Sequence, residues 1–234
     1  MGSRAAVIMF ADQAPREVLQ AEPVIDEGRS RRLAESLLGG AAEQVEALGL
    51  DLALWPERGL VTAASASGVD IVCSREFARN RPSELTADVL RLSGGRDAYG
   101  VFLESSEDWT GFATWSGGTL TRSLSLGVAT GVIEDIGERL AFEEAFWAGG
   151  HPVSHLPDYP LPFHPIELGN EALKAFFGFV IEGSLRGTSV EPDEIEVSTF
   201  RPVGREQRAP DTSRLVRREV PRSEWAGTLD EGSC

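Results

Sequence analysis

Residues 109–150 read WTGFATWSGGTLTRSLSLGVATGVIEDIGERLAFEEAFWAGG and contain the clearest turn signal in the chain. Two segments typical of β-strands, 111–115 and 119–126, flank the tripeptide Ser116-Gly117-Gly118. Glycine readily adopts the positive φ angles that a tight hairpin turn requires. The stretch therefore predicts a β-hairpin around which the rest of the fold is built.

The second strand of this hairpin alternates in polarity. One predicted face carries Leu120, Leu124 and Leu126, and the other carries Thr119, Thr121, Ser123 and Ser125. A period of two is typical of a strand in a sheet with one dry face. We therefore expect the leucines to face the core.

Arg122 breaks the pattern because it falls on the leucine face. An unpaired guanidinium is costly in an apolar environment, so we expect a carboxylate partner or an edge position from which Arg122 reaches water. Glu134 and Asp135 are the nearest carboxylates in sequence. Two interpretations follow: a structural ion pair at the sheet margin, or an anion-binding arginine in a pocket.

Composition limits the class of protein. The chain of 234 residues is 41% hydrophobic, a fraction that is ordinary for a globular domain. Its formal charge is -15. Such an acidic chain argues against nucleic acid as a partner and favours a basic protein. No apolar run approaches the roughly 20 residues that span a bilayer, so we expect no membrane segment. Only two cysteines occur, Cys73 and Cys234, which favours free thiols in a reducing, cytoplasmic setting.

The remaining pattern alternates strands and helices. Helices are predicted from Asp26 or Glu27 to Gly39, from about Arg81 to Gly94, and from an Asn170 cap to Gly183. Strands are predicted near residues 5–11, 45–48, 59–67, 69–73, 99–104 and 195–200. We predict a single α+β domain over residues 1–200, with a mixed but mostly antiparallel sheet and helices packed mainly on one face.

The C-terminal segment differs in composition. Residues 201–234 contain seven arginines and six acidic residues but few large apolar side chains. Such a segment buries too little apolar surface to offset the entropy of ordering, so we predict a disordered tail.

One segment groups residue types that bind metals. His151, His155, His164 and Asp158 all lie in the proline-rich stretch 151–169. Prolines at 152 and 157 deny the first two histidines the helical spacing that favours chelation. We therefore predict loop histidines and no cofactor, and keep a metal site as the alternative.

The acidic residues after the hairpin offer a second chemical possibility. Glu134, Asp135, Glu138, Glu143 and Glu144 would supply the two carboxylates that hydrolases often use. Acids this frequent are more typical of a solvated face, and no G-x-S-x-G motif is present. A hydrolase with a site built from Arg122, Glu134 and Asp135, assisted by a histidine-bound metal, remains the alternative function.

Several motifs carry a resemblance to a known group of proteins. In order, they are RSLSL at 122–126, VIEDIGERL at 132–140, FEE at 142–144, WAG at 147–149, YPLPFHP at 159–165 and FFGFV at 176–180. Together they resemble an uncharacterised actinobacterial family of unknown function over most of residues 1–200. The resemblance implies a bacterial cytosolic setting and a single domain, and it transfers no site residue.

These observations favour a non-catalytic, cytoplasmic accessory domain of the immunity-protein type that binds a protein partner. Its basis is the acidic charge together with a stiff, aromatic, proline-rich segment suited to recognition. The residues that we expect to contribute to binding are Arg122, Glu134, Asp135, Trp147, Tyr159, Phe163 and His164.

Overall fold

A computed structural model of the chain describes residues 2–153 and 159–204. Its strands are β1 (Arg4–Ala11), β2 (Ala42–Gly49), β3 (Val61–Ala66), β4 (Val69–Cys73), β5 (Asp97–Glu104), β6 (Trp109–Ser116), β7 (Thr119–Gly127), β8 (Gly131–Ile136) and β9 (Glu196–Pro202). The α-helices are α1 (Pro15–Gln20), α2 (Glu27–Leu38), α3 (Leu50–Ala53), α4 (Thr86–Ser93), α5 (Glu144–Trp147) and α6 (Pro165–Phe177). The described residues also contain 3-10 turns at Arg75–Phe77, Pro82–Leu85, Ala141–Glu143 and Pro192–Glu194.

The strands form one open sheet in the order β2-β9-β3-β4-β1-β5-β6-β7-β8. Every strand pair in the described part of the chain is antiparallel. Residues up to Val203 belong to one compact unit. The predicted α+β class with a mostly antiparallel sheet is therefore confirmed, and β2 and β8 are the two edge strands.

Both faces of the sheet are buried. On one face, alternate β1 residues such as Val7 and Met9 pack with α1, α3, α5 and α6. On the other, Ile8 and Phe10 pack with α4, and α2 extends this layer toward β9. Helices thus lie unequally on both faces, four on one and two on the other, because the central strands are apolar on both sides.

The predicted hairpin is confirmed, but its second strand departs from simple alternation. Gly117 and Gly118 adopt φ angles of 55° and 82° in the turn. Trp115 pairs with Leu120, whereas Thr114 pairs with Arg122, so Thr121 is an extra, bulged residue. A bulge reverses side-chain direction along the strand, and Leu120 consequently packs toward α4 while Leu124 and Leu126 face α6.

The prediction of a single dry face was therefore wrong for β7. Leu120 is separated from the other two leucines, and Ser123 and Ser125 on the opposite face are also buried. Their burial follows from the second helical layer, which the serine pattern did not indicate.

Helix α6 begins earlier than its sequence pattern predicts. His164 is its N-cap residue, Pro165 occupies the first turn, and Gly178 ends it at a φ of 85°. Proline is tolerated in the first turn, where its missing N–H would have no helical acceptor. Asn170 is consequently an interior residue and not the cap, and Gly183 lies beyond the helix end.

The C-terminal boundary of the domain also shifts. Arg201 and Pro202 pair with β2, and Arg201 forms an ion pair with Glu43 at 2.8 Å. Arg201 and Pro202 therefore belong to the sheet, and residues 205–234, which make up most of the predicted tail, lie outside the described part of the chain. Among residues 2–153 and 159–204, no helix has the length and apolar character needed to cross a membrane.

The packing of α6 predicts a large effect of truncating Phe177. This side chain is fully buried, and its ring contacts those of Phe176 and Phe179 at centroid distances of 6.0 Å each. Phe177→Ala should lower the free energy of unfolding by about 3–5 kcal/mol, because the cavity in the core cannot fully close. Urea denaturation followed by circular dichroism measures this change.

Leu185→Ala is the control for that substitution, because Leu185 is 71% exposed. Its free energy of unfolding should stay within about 0.5 kcal/mol of the wild-type value. Equal losses in the two variants would contradict the assignment of Phe177 to the core.

Candidate functional site

Arg122 lies in the protein interior with only 1% of its surface exposed. The bulge at Thr121 places it opposite Thr114, and its guanidinium lies 6.0 Å from the ring centre of Phe112. Phe112 belongs to the core beneath α6. The charge is therefore buried against an aromatic core, and its stability depends on the groups that surround it.

Glu143 is the main partner of Arg122. Two parallel hydrogen bonds join them, from Nε to Oε1 at 2.8 Å and from a terminal nitrogen to Oε2 at 2.6 Å. Glu143 is itself fully buried, and its carboxylate also accepts from the backbone N–H of Leu140 at 2.9 Å and from the indole of Trp147 at 3.4 Å. Both charges are thus compensated in the geometry that a guanidinium and a carboxylate share.

The remaining guanidinium nitrogen of Arg122 holds the end of edge strand β8. It donates to the carboxylate of Asp135 at 2.5 Å, to the carbonyl of Ile136 at 2.9 Å and to the carbonyl of Gly137 at 3.3 Å. Burial alone would lower the pKa of Arg122, but the hydrogen bonds to Glu143 and Asp135 outweigh it and raise the pKa above its usual value. The guanidinium therefore stays charged, and all three of its nitrogens are engaged.

Glu134 extends from the opposite face of β8. Its carboxylate accepts from the backbone N–H of Ser83 at 3.1 Å, from the hydroxyl of Ser83 at 2.6 Å and from the hydroxyl of Ser123. Arg81 lies 4.0 Å away. Glu134 thus fastens β8 to the 3-10 turn that precedes α4, and it is separated from Arg122 by the sheet.

Glu134 and Asp135, the two carboxylates proposed for a site with Arg122, therefore lie on opposite faces of the sheet. Asp135 is a direct partner, as the sequence predicts, whereas Glu134 bonds to a different layer. The sequence interpretation missed Glu143 as the principal partner. One signal was present: Glu143 stands three residues after Leu140 at the start of a turn, where a glutamate commonly accepts from the preceding backbone N–H.

The aromatic residues proposed for binding face inward to different degrees. Phe163 is fully buried and packs edge-on against Trp147 at 5.0 Å. Trp147 is half-buried, and Arg139 lies 4.4 Å above its ring. Tyr159 is half-buried, its hydroxyl has no partner among the described residues, and burial together with Asp108 raises its pKa. These rings anchor the proline-rich segment instead of presenting a continuous aromatic surface.

The histidines serve separate elements. His164 caps α6 by accepting from the backbone N–H of Ile166 at 3.3 Å, and its other nitrogen lies 3.6 Å from Asp108. His151 stacks on Phe146 and pairs with Glu167 at 2.6 Å. His155 and Asp158 lie outside the described residues. Within the described ranges, no group of three metal-ligating side chains has the geometry to hold an ion.

His151 and His164 both border a groove of about 500 Å³ between α6 and the segment that follows it. Asn170 frames this groove, because its side-chain oxygen accepts from the backbone N–H groups of Ile181 and Glu182 at 3.0 Å each. Its lining mixes acids with bases, including an ion pair between Lys174 and Glu171. The described residues around the groove thus carry both charges and form no cluster of metal ligands.

Comparison with known proteins identifies a family but no related protein of known function or structure. Residues 5–200 match the model of a family of unknown function, DUF6928. No curated protein and no solved structure gives a significant match. The matched range contains the hairpin, the buried arginine and α6, and it ends within β9.

The buried ion pair predicts that removing one of its charges destabilises the protein much more than removing both. Arg122→Met should lower the free energy of unfolding by about 3–5 kcal/mol, because it leaves the carboxylate of Glu143 buried without its charge partner. The double variant Arg122→Met with Glu143→Leu should recover most of that loss, since it removes both charges together. Chemical denaturation of the two single variants and the double variant measures the coupling. A double variant that loses the sum of the single effects would contradict the pairing.

Proposed function

Since the chain belongs to the DUF6928 family of unknown function, which offers no activity to transfer, we propose from its own geometry that it is a non-catalytic domain that binds a basic protein partner. The partner contributes an extended segment that adds to the sheet along β8. The exposed apolar edge of that strand is the observation that carries the proposal.

Within residues 2–153 and 159–204, strand β8 ends the open sheet with one side unpaired. An edge strand presents backbone N–H and C=O groups that a further strand can satisfy. Val132 and Ile136 on β8 are 46% and 42% exposed, so an incoming segment would also bury apolar surface. Main-chain hydrogen bonds would supply affinity, and the two side chains would supply contact area.

The edge is held in place before any partner arrives. Arg122 bonds to the carbonyls of Ile136 and Gly137 from one face, and Glu134 bonds to Ser83 and Ser123 from the other. A strand fixed on both faces loses little conformational freedom on binding. Arg122 and Glu134 would therefore serve binding indirectly, by holding β8 in the conformation that the partner strand pairs with.

Charge favours a basic partner. The chain carries 37 acidic and 22 basic residues, and Asp135 and Glu138 are exposed at the end of β8. A negative surface raises the rate at which a positive partner associates and disfavours polyanions such as nucleic acid. A cytoplasmic location in an actinobacterial cell and an accessory role of the immunity-protein type belong to the same proposal.

The opposite edge is less suited to this role. Strand β2 is interrupted by a bulge at Val45, and it exposes the carboxylates of Glu43 and Glu46 along its length. Bulges and charges are the devices by which proteins discourage pairing at a sheet edge. Strand β8 also has a bulge, at Ile133, and an exposed carboxylate, Asp135, but that carboxylate is bonded to Arg122, and the segment after the bulge is regular and ends in the exposed Ile136.

The hydrolase alternative receives no comparable support. Glu134 lies across the sheet from Arg122, and Arg122 has its nitrogens engaged by Glu143, Asp135 and backbone carbonyls. A catalytic pair of carboxylates requires both groups to reach one substrate.

The test uses lysine substitutions of exposed apolar residues on the two edge strands. The full chain and the double variant Val132→Lys with Ile136→Lys serve as baits in a lysate of the source organism, and bound proteins are identified by mass spectrometry. The double variant should lose a basic partner that the wild type retains, because lysines on the edge repel that partner and block strand addition.

Val45→Lys on β2 is the control, because Val45 is 48% exposed and also lies on an edge strand. This variant should retain the partner. Equal retention by all three baits would exclude β8 as the interface, and the absence of any stoichiometric partner of the wild type would refute the proposal.

A further inference from the structure

A second pocket, of about 530 Å³, lies at the end of the sheet where β1 begins and β4 and β5 end. Arg4 stands at the start of β1 opposite Glu104, the last residue of β5. The 3-10 turn Arg75–Phe77 follows β4, and Trp55 and Arg58 come from the loop after α3. Four arginines therefore converge here from separate parts of the chain: Arg4, Arg58, Arg75 and Arg79.

The indole of Trp55 organises two of these arginines. The guanidinium carbons of Arg75 and Arg4 lie 5.5 Å and 5.9 Å from its ring centre. Arg75 is fixed further by a 2.6 Å hydrogen bond from Nε to the carbonyl of Pro56. The indole N–H of Trp55 is buried and has no acceptor among the described residues. Cation-π contacts and one carbonyl thus hold Arg4 and Arg75 close together, and these contacts bring no negative charge of their own.

The positive charge of the pocket is only partly compensated. Arg4 pairs with Glu104 at 3.1 Å, and Arg79 lies 3.7 Å from Asp88. Arg58 and Arg75 have no carboxylate partner within the described ranges, and Glu76 is the other acid that borders the pocket. The local excess of arginine has the opposite sign to the overall charge of -15. The pocket therefore differs in charge from the chain as a whole.

We propose that this pocket binds the phosphate group of a small, soluble phosphorylated compound. A phosphate monoester carries about -1.5 to -2 charges at pH 7 and three acceptor oxygens, which matches two uncompensated guanidiniums. The planar donor fork of arginine suits phosphate oxygens in a bidentate arrangement. The volume leaves room for the organic part of such a compound, since ligand pockets commonly measure about 300–1,000 Å³.

Isothermal titration calorimetry with sodium pyrophosphate tests the site, with the ionic strength held constant by chloride. The wild-type protein should bind one pyrophosphate per chain. Arg75→Gln and Arg58→Glu should each raise the dissociation constant by about tenfold or more, because each removes a charge-assisted hydrogen bond to the anion. Arg58 is exposed and free of ion pairs in the described chain, so its variant separates binding from folding.

Arg32→Glu is the matched control, because Arg32 is another exposed arginine and lies on α2, away from the pocket. Its affinity for pyrophosphate should equal that of the wild type. No binding above the chloride background would overturn the proposal, and an equal loss in Arg32→Glu and Arg58→Glu would reduce it to an effect of total charge.

Tryptophan fluorescence gives the location independently. Pyrophosphate should change the emission of the wild type, and Trp55→Phe should abolish that change while the calorimetric affinity stays within about threefold, since the aromatic face is kept. An emission change that persists in Trp55→Phe would place the anion elsewhere and exclude this pocket.

Discussion

Burial of the Arg122 guanidinium is the constraint on which the margin of this sheet depends. A desolvated charge is costly unless it is paired and hydrogen-bonded, and here Glu143, Asp135 and two carbonyls of the chain engage each of the three guanidinium nitrogens. Those acceptors come from three consecutive elements of the fold: the end of β8, the residues just after it and the turn before α5. One side chain therefore sets the relative positions of all three.

The same constraint explains how an exposed edge strand keeps a defined shape. Adjacent residues on β8 point to opposite faces, so Glu134 and Asp135 connect the strand to different layers. Ser83, beside α4, donates hydrogen bonds to the carboxylate of Glu134. Arg122, beneath α6, donates a hydrogen bond to the carboxylate of Asp135. The strand is thereby held from both faces, while no strand of the described ranges pairs with its outer side.

Two surfaces of opposite charge follow from this fold. Under the first proposal the acidic body and the apolar side chains of β8 receive a basic protein segment. Under the second, the arginines around Trp55, at the ends of the central strands, bind a compact anion. The two proposals are independent because they use different residues and different chemistry. Screening by salt would weaken both, but only the pocket would discriminate pyrophosphate from chloride at equal ionic strength.

The sequence by itself determined the turns, helix ends and strands that depend on neighbouring residues. Paired glycines set the β6–β7 turn, Asp26 and Gly39 bound α2, and apolar runs marked most of the strands. The sequence also indicated that Arg122 needs a carboxylate, because the cost of an unpaired charge does not depend on the fold. It did not identify Glu143, since that pairing joins positions 21 residues apart and is set by how the turn before α5 packs on the sheet.

Other features were decided by tertiary structure alone. The burial of Ser123 and Ser125 depends on layers that approach from distant parts of the chain, and the bulge at Thr121 is defined only by the pairing of β7 with β6. The arginine pocket likewise joins the beginnings and ends of strands that the sequence separates by up to 100 residues, Arg4 and Glu104 among them. Periodicity reports which side of an element is apolar, but the partner that covers each side is set by strand order, and strand order arises only when the whole sheet assembles.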